Sequence, residues 1–194
     1  MVNWLNKVIK AGERIKAAIR KRATKEELAK SDYVSCCKGL VSKKEIANNF
    51  HTCPYCSKHF KVTPSERFGY LFDSGIYETF KVLIPKDDQL GFVAVKAYKD
   101  QLKSARKKTG LDCSMVVASG EVNKIKCTVV ASDFSFMGAS VEAAEGEAIL
   151  YAAMHAKENK QPLIIVAQGG GMRMQASMIS LSQMPRATLA INEV

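Results

Sequence analysis

The sequence predicts an α/β protein in which a small cysteine module precedes a layered domain. Three observations carry that expectation. Residues 132–158 and 163–189 each pass from a β-rich or apolar run, through a turn of small residues, into a helical pattern, the alternation expected where strands are covered by helices. Residues 114–120 and 126–132 are β-rich runs joined by a short polar link, as in a hairpin. Four of the six cysteines, Cys36, Cys37, Cys53 and Cys56, crowd into one short stretch, and clustering of this kind points to metal.

The chain starts with a basic arm, residues 1–30, which carries nine cations against three glutamates and so holds most of the net charge of +10. Trp4, Val8, Ile15 and Ile19 fall near one face of a helix over residues 3–22. A basic amphipathic helix suits a nucleic acid, an anionic membrane, an acidic partner surface or simple packing on its own domain. Because the first dozen residues lack acids, a presequence is a further reading. A length of 194 residues allows one medium domain, or a small module plus one domain, and 47% hydrophobic content is globular. No apolar run approaches the ~20 residues that cross a bilayer, and no secretory leader is expected.

Residues 31–60 form the cysteine module. Cys53-Pro54-Tyr55-Cys56 is a C-x-x-C knuckle, and fifteen residues separate Cys37 from Cys53, the separation found in zinc ribbons. The partner knuckle is defective, because its first position is Val34. Cys36 substitutes for it in one reading, and His51 or His59 supplies the fourth ligand in another. A redox pair is the competing use of Cys53 and Cys56, but that motif normally opens a helix beside a strand. Cys113 and Cys127 lie in apolar, strand-like segments and read as core residues.

Residues 61–194 form the layered domain. Thr63-Pro64-Ser65-Glu66 is a capping box with proline at the first helical position, so a helix starts there, carries Phe68, Leu71 and Phe72 inward and stops near Gly75. Residues 96–109 read as a second helix, cationic along one side and closed by Gly110. After the hairpin, Gly138, Ala139 and Ser140 form the first small-residue turn, followed by a helix over residues 141–158. Residues 163–167 have the length of a strand buried on both faces. Gly169, Gly170 and Gly171 end it, and Met174, Met178, Leu181, Met184 and Leu189 then recur at roughly helical spacing, a pattern that Pro185 interrupts and should kink or split. Handedness rules place both turns at one end of the sheet, where ligands of such folds bind.

The glycine loop admits two readings. Bare backbone at a helix start approaches a negatively charged oxygen, whereas a tight turn needs glycine only for its φ freedom. Neither familiar phosphate loop fits. The last glycine of a dinucleotide fingerprint would fall on Met174, and no Gly-Lys-Ser/Thr follows. Three histidines, two of them in the cysteine module, assemble no catalytic triad. Glu142, Glu145 and Glu147 read as a solvated helix face. Any chemistry therefore rests on backbone dipoles more than on side-chain acids and bases.

"CPYC", "DFSFMGAS", "GEA", "GGGMRMQ" and "SLSQM", with "YKDQLKSARKKTGL", resemble in order and spacing the β subunits of bacterial acetyl-CoA carboxylase carboxyltransferase from about Ser31 to Val194, and "NWLNKVIK" is similar to the start of that family. The resemblance implies a zinc ribbon joined to the first part of a crotonase-like domain. It implies a cytoplasmic enzyme of fatty acid biosynthesis that moves a carboxyl group from carboxybiotin to acetyl-CoA, giving malonyl-CoA. The implied partners are a carboxyltransferase α subunit in a tetramer of two α and two β chains, the biotin carboxyl carrier protein and biotin carboxylase. Gly170 and Gly171 take the role of an oxyanion hole, Gly138, Ala139, Ser140, Gly169 and Arg173 bind substrate, and Cys36, Cys37, Cys53 and Cys56 hold zinc. Where the family commonly has Gly-Gly-Ser and Ser-Gly-Gly-Ala-Arg-Met, this chain has Gly138-Ala139-Ser140 and Gly169-Gly170-Gly171-Met172-Arg173-Met174. The family's catalytic domain also continues through further strand and helix units, so the resemblance implies a fragment or truncated product. The reading from a different class is a zinc-ribbon nucleic-acid-binding module, motivated by charge and by the ribbon beside a basic arm, with such binding also conceivable as a secondary role.

Overall fold

The computed structural model describes residues 32–36 and 39–194. The basic arm with its expected helix, and Cys37, lie outside the described residues. The chain divides into two compact units, Met1–Phe60 and Lys61–Val194.

In the smaller unit, β1 (Tyr33–Cys36) pairs antiparallel with β2 (Gly39–Ser42), placing Val34 opposite Val41 and Cys36 opposite Gly39. Helix α1 (Lys43–Asn48) follows at once, because the Ser42 side chain accepts from Lys44 N–H and caps it. Val34 and Phe60 pack against the buried Val41, Ile46 and Cys53. The position that breaks the first knuckle therefore serves a small apolar core.

The larger unit is built on a mixed four-stranded sheet of order β3-β4-β5-β6, from β3 (Tyr77–Phe80), β4 (Met115–Val122), β5 (Ile125–Ser132) and β6 (Leu163–Val166). Asn123 and Lys124, both at positive φ, close the expected hairpin between β4 and β5. Alternation along those two strands sends Met115, Val117 and Val130 to one face and Ala118, Val129 and Ala131 to the other. Helix α2 (Pro64–Leu71), opened by the capping box at Thr63, covers the second face with Phe68. Helix α3 (Tyr98–Thr109) ends at Gly110 in the left-handed conformation, as its sequence requires. The first face is covered by α4 (Ala143–Glu158), where Ala144, Ala148, Ile149 and Ala152 meet the strands. Cys113 and Cys127 are buried core residues.

β5 and β6 run parallel, Val130 beside Ile165. Both small-residue turns consequently leave the same end of the sheet. Two expectations about the last unit are corrected. β6 lies at the sheet edge and is half-buried at every position instead of covered on both faces. The helix expected straight after the glycines begins only at Ser177, as α5 (Ser177–Leu181) followed by α6 (Gln183–Asn192). Its apolar stripe faces outward, with Met174 85% and Met178 70% exposed. The reason lies in how α6 meets α4. Gln183 is buried against Gly146, where a Cβ would come within 2.1 Å of its Oε1, and Arg186 pairs with Glu147 at 2.6 Å. That docking turns the methionines and leucines away from the sheet.

Arg106 on α3 grips Asp87 through both guanidinium nitrogens and donates to the Asp112 carbonyl, fastening the long segment after β3. The hydrogen bonds from Arg106 hold the Asp87 carboxyl below its ordinary value of 3.8, so the contribution to stability is present above that value and is lost as pH falls through the lowered one. Both side chains are about 30% exposed, which screens the pair to roughly 1 kcal/mol or less. Asp87→Asn should therefore cost little at pH 7 and lack one component of acid destabilisation below about pH 4. Urea unfolding of both proteins at pH 7 and pH 3 checks this, and equal losses on acidification would exclude it.

Candidate active site

The 138–140 turn follows β5, and the 169–171 loop follows β6. Their backbones are stitched together. Gly170 N–H donates to Gly138 O (2.8 Å), Val141 N–H to Gly171 O (2.8 Å) and Arg173 N–H to Val141 O (2.9 Å). A Cβ on Gly169 would lie 2.5 Å from the Ala139 carbonyl oxygen, so only glycine permits this approach. Met137, Gly138 and Ala139 all have positive φ (48°, 67° and 51°), a conformation that costs a non-glycine residue about 1–2 kcal/mol. Ser140 Oγ donates to Met137 O and closes the turn.

These bonds correct one expectation and sharpen another. The Gly170 N–H is engaged inside the protein and is not available to an oxyanion. Among the described residues nothing accepts from the N–H of Gly169 or Gly171. Gly171 sits at φ 83° between two fastened peptides, one through Gly170 N–H and the other through its own carbonyl. Its amide is thus held in direction without being consumed.

Arg173 is corrected as well. It is 2% exposed, and all five of its N–H donors are met by the protein. Nε donates to Ser140 Oγ (3.1 Å), one terminal nitrogen to Tyr98 Oη and Glu142 Oε2 (both 3.1 Å), and the other to Ser140 O and Glu145 Oε1 (2.5 and 2.7 Å). No donor remains for substrate. Burial opposes its charge, but Glu145 and the Tyr98 oxygen outweigh that and hold the guanidinium above its ordinary value. Burial pushes the Glu142 carboxyl up, against the pull of the Tyr98 hydroxyl and Arg173.

Glu142 and Glu145, expected in water, are 6% and 0% exposed. They form a capping box at the start of α4, and Glu145 also accepts from Ser114 N–H and Oγ. Their i, i+3 spacing ahead of an alanine-rich helix was the available signal. Tyr98, which donates to Glu142 at 2.8 Å, carried none. Burial first, and then the Glu145 carboxylate, push the Cys113 thiol up to about 12, which makes it no nucleophile at neutral pH.

Beside this network a slot lined by Lys86, Asp87, Arg106, Phe136 and Arg173 adjoins an open groove of about 540 Å³ bordered by Lys81, Lys86, Lys99 and Arg106. A cavity of about 750 Å³, with Phe80, Ser119, His155 and Gln161 in its wall, belongs to the start of β5, away from the turns at its end.

In the smaller unit, the sulfurs of Cys36, Cys53 and Cys56 lie within 4.8 Å of one another, with Cys36 and Cys56 at 3.5 Å. Zn–S bonds of about 2.3 Å in a tetrahedron put sulfurs about 3.8 Å apart, so this donor set fits zinc. The knuckle is shaped by Cys53 N–H donating to Lys58 O and Ser57 N–H to Cys53 O. Among the described residues no histidine joins the cluster. His59 Nδ1 lies 3.3 Å from Thr52 Oγ1.

In the transcarboxylase 12S crystal structure with methylmalonyl-coenzyme A and methylmalonic acid bound, a chain overlays 67% of this chain and 23% of its own length at TM-score 0.52 and 20% identity, so the two share a fold. Residues 76–193 match the carboxyl transferase domain. The chain belongs to that family. A Pelagibacter ubique (strain HTCC1062) protein named acetyl-coenzyme A carboxylase carboxyl transferase subunit beta is 52% identical over 193 residues, 100% of this chain and 62% of its own length. A Jannaschia sp. (strain CCS1) protein of the same name is 38% identical over 98% of this chain and 58% of its own length. The chain thus spans about 60% of the length of these curated relatives. No helix among the described residues is long and apolar enough to cross a membrane.

Gly169→Ala should force the two turns apart and destabilise the larger unit by about 1–3 kcal/mol. Denaturant unfolding measures this, and unchanged stability would refute the close approach.

Proposed function

We propose that the chain acts as the β subunit of acetyl-CoA carboxylase carboxyltransferase, moving a carboxyl group from carboxybiotin on its carrier protein to acetyl-CoA. The observation that carries this reading is the free, fixed N–H of Gly171 at the shared end of two parallel strands in a carboxyl transferase domain. In the reaction the acetyl methyl loses a proton, the thioester oxygen gathers charge as an enolate, the C–N bond of carboxybiotin breaks and a C–C bond forms to give malonyl-CoA. The proton passes to the biotin ureido group, so no side-chain base is required. A preorganised N–H donor at the enolate oxygen lowers the barrier by about 3 kcal/mol. Gly171, with Gly169 beside it, takes that role in place of the pair Gly170 and Gly171. The 138–140 turn borders the thioester, and Lys81, Lys86 and Lys99 attract the phosphates of the coenzyme. Arg173 holds the turns and does not touch substrate.

The partners are the carboxyltransferase α subunit, in a tetramer of two α and two β chains, the biotin carboxyl carrier protein and biotin carboxylase, all in the cytoplasm. Cys36, Cys53 and Cys56, joined by Cys37, bind structural zinc. The layout is the basic arm over residues 1–30, the zinc unit over 31–60 and the carboxyl transferase domain over 61–194.

Titrating the chain with acetyl-CoA should shift the amide NMR signals of Gly138, Ala139, Gly169 and Gly171, and the complex with the α subunit should decarboxylate malonyl-CoA when given a biotin derivative. Silence at those amides together with an inert, well-folded complex would sink the assignment. Metal analysis should find one zinc per chain, lost in Cys53→Ser with unfolding of the smaller unit. A folded, metal-free unit would disprove the zinc site.

A further inference from the structure

We infer that Arg173 is a positioning residue, one whose guanidinium aims the Gly171 N–H by clamping the 138–140 turn onto the start of α4. The inference rests on the carboxyltransferase reading for its kinetic consequence, and on geometry alone for its structural one. A peptide plane is rigid, so the direction of the Gly171 N–H follows from the two peptides that flank it. One is fastened by Gly170 N–H to Gly138 O, the other by Gly171 O to Val141 N–H. Both fastening points, Gly138 and Val141, lie on the segment whose Ser140 carbonyl and hydroxyl are gripped by Arg173. The clamp is anchored behind by Glu142 at the N-cap of α4, by Glu145 in its first turn, by Tyr98 on α3 and, through Glu145, by Ser114. Arg173 N–H and O reach Val141 O and Ser180 Oγ, so its own backbone is fixed too. A substrate-binding arginine would keep at least one donor pointing outward. This one keeps none.

Lysine carries the same charge but offers three donors from one atom, and cannot span Ser140, Tyr98 and both carboxylates. Arg173→Lys should therefore slacken the turn without emptying the site of charge. In the isolated chain, hydrogen exchange at the Gly170 and Val141 amides should quicken by about 10-fold or more, while Val129 and Val130 in the sheet keep their protection. In the complex with the α subunit, kcat for malonyl-CoA decarboxylation should fall on the order of 100-fold, the effect of a small misplacement of a catalytic group. KM for malonyl-CoA should stay within about 2-fold, because the lost interaction acts in the transition state. Tyr98→Phe removes a single hydroxyl from the clamp and should move the same quantities in the same direction by less, which keeps the test decisive if the lysine variant does not fold. Unchanged Gly170 exchange in a folded variant overturns the inference, and so does a rise in KM at constant kcat, which would return Arg173 to ligand binding. A wild-type complex without turnover would count against the carboxyltransferase reading instead, and the exchange data would still judge the clamp.

Discussion

A buried guanidinium between two buried carboxylates is the constraint on which the larger unit depends. Removing charges from water costs several kcal/mol per ion, and mutual attraction offsets this only when geometry is good and every remaining polar atom is satisfied. Both conditions hold around Arg173. Its five donors are met, and Glu142 and Glu145 also take backbone N–H groups at the head of α4. An ion cluster of this kind is weak support for stability but strong support for one arrangement, since any displacement strands a charge. The arrangement it selects is the contact between the two turns.

That contact explains why the chemistry can be written on backbone alone. Parallel pairing of β5 and β6 brings the ends of two strands side by side, and small residues let the following turns approach to hydrogen-bonding distance. The first turn is itself strained, with Met137 and Ala139 both held left-handed. Strain of that sort persists only where surroundings over-determine the conformation. Here the surroundings are the Arg173 clamp and the bonds to the 169–171 loop. In the proposed reaction the free amide needs direction more than flexibility, and a rigid pedestal supplies it.

Much of the fold was legible because its signals are local. The capping box at Thr63, the Gly110 stop, the hairpin between residues 114 and 132 and the burial of Cys113 and Cys127 all follow from residues within a few positions of one another. The two turns were legible from their small residues. The outward stripe of Met174, Met178, Leu181, Met184 and Leu189 was not, because helical spacing names a face without saying which neighbour will cover it. The half-buried state of β6 was illegible for a related reason, since an apolar run does not state its place in a sheet.

The sequence by itself determined where strands give way to helices, that cysteines gather ahead of the domain and that glycines bare the backbone at residues 169–171. These depend on chemistry between near neighbours. Tertiary structure alone decided that the Gly170 amide faces inward to Gly138, that Glu142 and Glu145 leave water, and that every guanidinium donor of Arg173 is met inside the protein. Each of those outcomes joins residues 28 or more positions apart, and only the folded chain sets which donor meets which acceptor.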